Sequence, residues 1–457
     1  MTPPLSAGRR PALPAALPVA LAFLAWRFAW DNARTSSGLP VGVLMPVPRA
    51  FRLVEMGVVL LLLAAVLLRP AGLVRQRTAG VVVALCVVLL GAASAVAGAA
   101  SGLVHLGAAF QMVYAYTVPL LVCAAVAGLA SHAGDAERVL RWFLAGVCVS
   151  AVVGWYQFGV LDRVGDDVHG LLRDAHHFAS ALWLAVLWLV ARLWVGYGSR
   201  LWSVVGLALI VPVALAAANE KATAMVAITL GLGCAWWLWR RGWVMRGALV
   251  AAVAIVAGYV QGLVGGRIEV PPVIVRYQLV AENFANSGLF EAYHKLGTVM
   301  REHPRAWVLG TGPGSYGSTK ALDEVALGGE IPPLAAQYTA PSYRLGFLSS
   351  AKVGSYVEES TDLTALLVEF GPLALVLLIA AAWLLLVTPA RVALRREDPA
   401  VRAMGAWLLL GTMFVALLAA VTAFYGWSSV EATTWPLALA AALLPSALNS
   451  APHSAAA

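Results

Sequence analysis

Charged residues are scarce along this 457-residue chain, 12% against 61% hydrophobic, with a mean hydropathy of +0.81. Soluble globular chains run near a quarter charged and about half apolar. The shortage excludes a water-soluble fold, whose surface would need far more polar cover. Cysteine is scarce too. Cys86, Cys123, Cys148 and Cys234 fall inside apolar runs, with neither disulfide nor metal-site spacing, and read as small core residues. The start of the chain does not read as a cleavable leader: Arg9 and Arg10 precede an apolar stretch that reaches Trp30 with no small-residue cleavage site after it, so it is expected to be a retained first span. Internal repeats and low-complexity tracts are missing as well, apart from a small-residue tail after Pro445.

What the chain has in quantity is long apolar runs. Twelve of them lie at roughly 11–30, 51–69, 79–99, 103–130, 139–161, 177–196, 201–218, 222–238, 244–264, 362–388, 403–425 and 432–447, most near the ~20 residues that a membrane-spanning helix needs. The first carries Arg27, and the last is short and interrupted by proline. The pattern predicts an all-α polytopic membrane protein of about 12 transmembrane helices, with a large extracytoplasmic loop between spans nine and ten. Spans one to nine occupy 1–264, the loop 265–361, and spans ten to twelve with a short cytoplasmic tail 362–457.

The net charge of +8 does not point to nucleic acid, because the basic residues sit in short blocks between apolar runs rather than in a groove. With the N-terminus inside, the inner side collects Arg75, Arg77, Arg138, Arg141, Arg240, Arg241, Arg246, Arg391, Arg395 and Arg396, among others. The short outer loops hold only a few cations, including Arg34, Arg49, Arg163, Arg173 and Lys221. This asymmetry places both termini in the cytoplasm.

Five segments carry polar character worth weighing. Loop 162–176 holds Asp166, Asp167, His169, Arg173, Asp174 and His176, a mixture that suits polar substrate contact, a metal ion or a merely solvated cap. In the long loop, apolar residues at Leu289, Phe290, Tyr293, Leu296 and Met300 predict an amphipathic helix over 288–303 on the bundle or membrane surface, ended by Pro304. The Gly-rich stretch Gly310–Lys320 fails as a nucleotide loop, because Ser318 rather than a lysine follows Gly317 and no strand-to-helix context surrounds it. A turn that lets backbones pack closely is the simpler reading, although its amides could also form a nest for a diphosphate. Glu220 and Lys221 share a tight turn between two apolar spans, either as a mutual ion pair or as a functional site. Glu358, Glu359 and Asp362 enter span ten and Glu369 follows about two turns later, where a helix–helix hydrogen bond or a functional role is open to it.

Four of these stretches, taken in order, resemble the O-antigen polymerase and O-antigen ligase superfamily of bacterial membrane glycosyltransferases. HHFASAL (His176–Leu182) resembles the signature opening span six, and NEKATAM (Asn219–Met225) stands at the family's short polar turn before span eight. HKLGTVMREHPRAWVLGTGPGSYG (His294–Gly317) resembles the loop helix followed by His-Pro and a Gly-x-Gly-x-Gly run, and LTALLVEFGPLAL (Leu363–Leu375) the entry to span ten. Twelve spans with the major loop between nine and ten match as well. Two departures matter. The family's turn arginine is Lys221 here, which keeps the charge and loses the bidentate fork. Ser360 and Thr361 stand where the ligase branch has a histidine, often followed by asparagine, which favours a polymerase, or a divergent ligase-like enzyme that transfers finished polymer to a lipid or protein acceptor, over a standard lipid A ligase.

The resemblance implies a donor glycan on undecaprenyl diphosphate, a glycan or lipid acceptor, membrane lipids as surroundings, and a flippase and chain-length regulator as further partners. It implies no cofactor and no metal. The implied location is the bacterial inner membrane, with the active face extracytoplasmic. Departing diphosphate would be met by Lys221, Arg173, Arg276 or Arg301, with Glu220 and His177 also placed at the substrate. Glu358, Glu359, His294 and His177 are the candidate bases toward the acceptor hydroxyl. Three other readings stay open. A transporter or flippase would show related halves and broken midplane helices. A glycosyltransferase using polyprenyl-phosphate sugars would carry paired acids in the first outer loop, where Asp31 stands beside Asn32. A non-catalytic assembly partner is the third.

Overall fold

The computed structural model describes residues 15–33, 48–68, 75–129, 131–132, 134–163, 165–172, 175–217, 220–241, 289–316, 333–338, 361–421 and 431–450. The expected ninth span, 244–264, lies outside them. No strand occurs among the described residues. The helices are α1 (Ala16–Ala33), α2 (Pro48–Leu67), α3 (Arg75–Ala100), α4 (Leu106–Ala127), α5 (Asp135–Gly159), α6 (Ala175–Val195), α7 (Arg200–Ala216) and α8 (Glu220–Arg241). Then come α9 (Leu289–Glu302), α10 (Pro333–Tyr338), α11 (Asp362–Glu369), α12 (Pro372–Ala393), α13 (Pro399–Val421) and α14 (Glu431–Ser450).

Six of these, α3, α4, α5, α6, α12 and α13, contain apolar stretches long enough to cross a membrane. Five shorter apolar stretches lie in α1, α2, α7, α8 and α14. Hydrocarbon supplies no hydrogen-bond partners, so a spanning chain must satisfy its backbone internally, which the helix does. The outer surface of the bundle is apolar, with Leu61, Leu89, Val152, Trp202 and Val376 all largely exposed. In water such a surface would be a liability; against lipid tails it costs nothing.

Helices α4 and α6 run through the middle of the bundle: 89% of the α4 apolar stretch is enclosed, against 33% for peripheral α12. Between them lies α14, whose residues from Thr434 to Leu444 are all buried despite Pro436. The helices approach closely where residues are small. A methyl on Gly411 of α13 would lie 2.5 Å from Leu437 and 2.9 Å from Leu184. The same approach lets the Trp407 indole donate to the Leu184 carbonyl at 3.0 Å. Small residues at such crossings are how membrane helices gain packing contacts in the absence of a water-driven hydrophobic effect.

The expected continuous tenth span over 362–388 is corrected. Helix α11 ends at Glu369, the chain turns at Phe370 and Gly371, and α12 starts at Pro372. Gly371 has φ +85°, and a Cβ there would meet the Ala306, Gly310 and Val308 backbones at 3.0 Å. The apolar pattern runs straight across this Gly-Pro pair, which conceals the break even though Gly-Pro is a turn signal. Further along, α12 widens into a π turn at Trp383–Val387. Pro389 has no N–H to offer the Leu385 carbonyl, and the Cys123 thiol approaches that carbonyl at 4.0 Å.

One end of the bundle, the loop end, carries the C-termini of α3, α5, α7 and α13 and the N-termini of α4, α6 and α8. Hydrogen bonds fix segment 289–316 there, among them two to helix ends. Arg305 donates to the Ala97 carbonyl of α3 at 3.2 Å, and the Tyr293 hydroxyl donates to the Ala420 carbonyl of α13 at 2.7 Å. At the opposite end, Arg396 donates to the Leu448 carbonyl at 2.9 Å.

Candidate functional site

The loop end is built around α11, an eight-residue helix held inside the bundle. Thr361 caps it: its hydroxyl accepts from the Thr364 amide at 3.1 Å, and the Thr364 hydroxyl accepts from the Thr361 amide at 2.8 Å. This reciprocal pairing satisfies two amides that a helix N-terminus would otherwise leave open. It also assigns a structural task to the position after Ser360. Asp362 follows, fully buried, its carboxylate accepting from the Tyr116 hydroxyl at 3.0 Å. Tyr116 lies ten residues into α4, about 15 Å along the axis at ~1.5 Å per residue. The α11 N-terminus therefore reaches well into the bundle.

Seven residues later, at the other end of α11, Glu369 is also fully buried. Its carboxylate accepts the amides of Gly314 at 2.7 Å and Tyr316 at 3.0 Å. The Gly-rich turn thus does form an anion nest, and the anion it holds is the protein's own carboxylate. Around this pair, Thr311 donates its amide to Val368 O at 2.8 Å, and Gly312 donates to Glu369 O at 3.1 Å. Ser94 of α3 donates to the same carbonyl at 2.8 Å. Gly310 needs to be glycine: its φ is +73° and a Cβ would sit 2.1 Å from Glu369 O. Of the two roles open to Glu369 from sequence, the structure shows hydrogen bonding, with the Gly-rich turn among the partners of its carboxylate.

As the apolar spacing predicts, 289–302 is a helix, and it rests on the bundle. Tyr293 joins the start of α11 to the end of α13, since its hydroxyl also bonds Thr361. Burial pushes the Tyr293 phenol upward, opposed by the Thr361 hydrogen bond. A small second core of Val299, Tyr316, Leu334, Tyr338 and Val368 fastens α9, the Gly-rich turn, α10 and α11 together. At its edge the Tyr338 hydroxyl donates to Glu302, and burial together with that carboxylate pushes the phenol up to about 12.

The sequence-derived candidates are placed as follows. His177 is buried near the start of α6, and Lys221 is half-buried near the start of α8. Since α6 and α8 pack side by side, these two stand at the same end of the bundle. Arg301 is exposed on α9, its Nε donating to the Gly297 carbonyl one turn back at 3.1 Å. Glu220 and His294 are placed as positions in α8 and α9 only. Arg173, Arg276, Glu358 and Glu359 lie outside the described residues. No group of three metal-ligating side chains occurs among the described residues.

Sequence reasoning passes over Tyr116, Ser94 and Glu55. Glu55 of α2 is buried, accepting from Trp26 Nε1 at 3.3 Å and the Tyr114 hydroxyl at 3.0 Å. A lone acid inside the apolar run 51–69 is a signal that could have found it. No pattern marks Tyr116 or Ser94, which matter only through long-range partners. No protein-family model matches this chain, and no curated protein matches it.

Proposed function

We propose that this protein is a polysaccharide polymerase, moving an undecaprenyl-diphosphate-linked glycan onto a hydroxyl of another lipid-linked repeat unit. The observation that carries the reading is the loop end. There the folded parts of the long loop clamp onto the bundle around buried polar groups, beside the helix starts that bear His177 and Lys221. By the charge asymmetry of the sequence this is the extracytoplasmic end. An enzyme whose donor tail lies in lipid and whose sugars lie in water needs such a boundary.

In the proposed reaction the acceptor hydroxyl oxygen attacks the anomeric carbon of the donor. The bond from that carbon to the diphosphate oxygen breaks, and undecaprenyl diphosphate leaves with the electron pair. Lys221, with Arg173, Arg276 or Arg301, meets the charge that develops on it. The hydroxyl proton passes to a base, for which Glu358, Glu359, His294 and His177 are the candidates. Asp362 and Glu369 are committed to Tyr116 and to the Gly-rich turn, so their part is to position α11. The capping task of Thr361 supports the polymerase over the ligase, whose polar pair would fall on Ser360 and Thr361.

Deleting the gene in its host tests the reading, with glycans followed by gel and lipid-linked intermediates by mass spectrometry. Single repeat units accumulating on undecaprenyl diphosphate, with polymer lost, are expected. Full-length polymer stranded on that carrier would make the protein a ligase. Unchanged glycans would refute both and move a transporter of another amphipathic substrate to the front.

A further inference from the structure

After α9 the chain makes one short 3-10 turn, Pro304–Trp307, on its way to the Gly-rich segment. Two consecutive large apolar residues stand out at its end, Trp307 at 59% exposed and Val308 at 60%. Their neighbours differ: Ala306 is buried, and so is every residue from Gly310 to Tyr316. The backbone that carries the pair is held on two sides. The Arg305 guanidinium donates to the Ala97 carbonyl of α3 at 3.2 Å, to the Ser101 hydroxyl just beyond that helix at 2.5 Å, and to the Thr311 carbonyl at 3.1 Å. On the other side, a Cβ on Gly371 would meet the Ala306 and Val308 carbonyls at 3.0 Å, so the turn rests against the start of α12.

These two supports give the turn a depth. Arg77 is the last cation before the apolar stretch of α3, and Arg391 the first after that of α12. Ala97 lies 20 residues along α3 from Arg77, and Gly371 lies 20 residues back along the chain from Arg391. At ~1.5 Å per residue each distance is about 30 Å, the thickness of the hydrocarbon core of a bilayer. Two helices counted separately thus put segment 305–308 at the same level, the boundary opposite the arginines. Below it both helices expose apolar side chains, Leu89 and Val96 on α3 and Leu373 and Val376 on α12.

From this juxtaposition we infer that the Trp307–Val308 turn is a membrane contact, inserted into the lipid interface at the loop end and fastening segment 289–316 to the bilayer. Tryptophan suits that layer, where one edge of the indole meets tails and its N–H meets headgroups. Arg305 stands at the depth where a guanidinium reaches phosphates and water. Lipid fits better than a protein partner. Two side chains fall far short of the roughly 800 Å² that each partner gives to a specific protein interface, and the pair continues a surface that already faces lipid. The inference does not rest on the glycosyl-transfer reading. It adds a constraint from the lipid side to the turn that Glu369 holds from within.

The test places a nitroxide on Trp307→Cys in the full chain, with the four native cysteines replaced, in nanodiscs of phosphatidylethanolamine and phosphatidylglycerol. Collisions with oxygen, which concentrates in lipid, are compared with collisions with a neutral nickel chelate, which stays in water. Val376→Cys on α12 gives the lipid reference and exposed Glu397→Cys the water reference. The oxygen-to-nickel ratio at 307 is expected to be at least about threefold that of Glu397→Cys, as for a side chain in the interfacial layer. A ratio equal to that of Glu397→Cys would mean that the turn stands in water and would overturn the inference. Few collisions with either reagent would overturn it too, by showing the turn covered with protein, whether a second copy or another part of this chain. Should the cysteine-free background fail to fold, fluorescence of the natural chain minus that of Trp307→Phe decides. Quenching of the difference by lipids brominated near the headgroup supports insertion, and quenching by aqueous iodide alone refutes it.

Discussion

Replacing Glu369 by alanine should release the Gly-rich turn from the bundle. The substitution leaves the amides of Gly314 and Tyr316 without their carboxylate acceptor, 2.7 and 3.0 Å away in the native protein. Each buried N–H so stranded costs about 1–3 kcal/mol, so the pair costs roughly 2–6 kcal/mol. At ~1.4 kcal/mol per tenfold, local opening of the turn should rise between about 30-fold and about 10⁴-fold. Hydrogen–deuterium exchange in lipid nanodiscs reads this directly, because amide exchange follows the opening equilibrium of the local unit. Peptides covering 310–316 should lose protection by that factor, while peptides from the α4 core should not change. Glu369→Gln retains one acceptor oxygen and should give roughly half the free-energy effect of alanine. Unaltered exchange over 310–316 in both variants would refute the claim that this carboxylate holds the turn.

Three further outcomes are expected. Gly310→Ala combines a strained φ of +73° with a Cβ 2.1 Å from Glu369 O, so α11 must shift; a steady-state membrane level equal to the natural protein would contradict the close packing described. For Tyr338 the phenol in the folded protein lies at about 12, above the usual 10. A raised value means that the stabilisation is present below pH 10 and is lost as pH rises toward about 12. Ultraviolet titration of natural protein minus Tyr338→Phe should show one tyrosinate forming near pH 12, and formation near pH 10 would remove the Glu302 contact as its cause. Alanine at Lys221 or at Arg173 should lower polymer output about 10²-fold if either cation meets the leaving diphosphate, with Lys221→Arg retaining most output; full output from both alanine variants would discard these two as the cations.

Much of the framework is legible in the sequence. Apolar runs and the dearth of charge predict a helical bundle in a membrane, since hydrocarbon tolerates no unsatisfied backbone. The spacing of Leu289, Phe290, Tyr293, Leu296 and Met300 predicts the loop helix, because one helical turn decides which side chains share a face. These are local properties. The break at Gly371 is local as well, and is hidden only because apolar residues flank it on both sides. Tertiary structure decided the rest. That Glu369 meets a turn more than fifty residues earlier, that Asp362 meets Tyr116 across 246 positions, and that α14 lies at the centre of the bundle all depend on which helices become neighbours. A hydroxyl looks the same in sequence whether it bonds its own helix or is buried without a partner. Only the packing of α6 against α8 and α13 separates Ser180, Trp183 and Thr229 from the serines, tryptophans and threonines that are already satisfied.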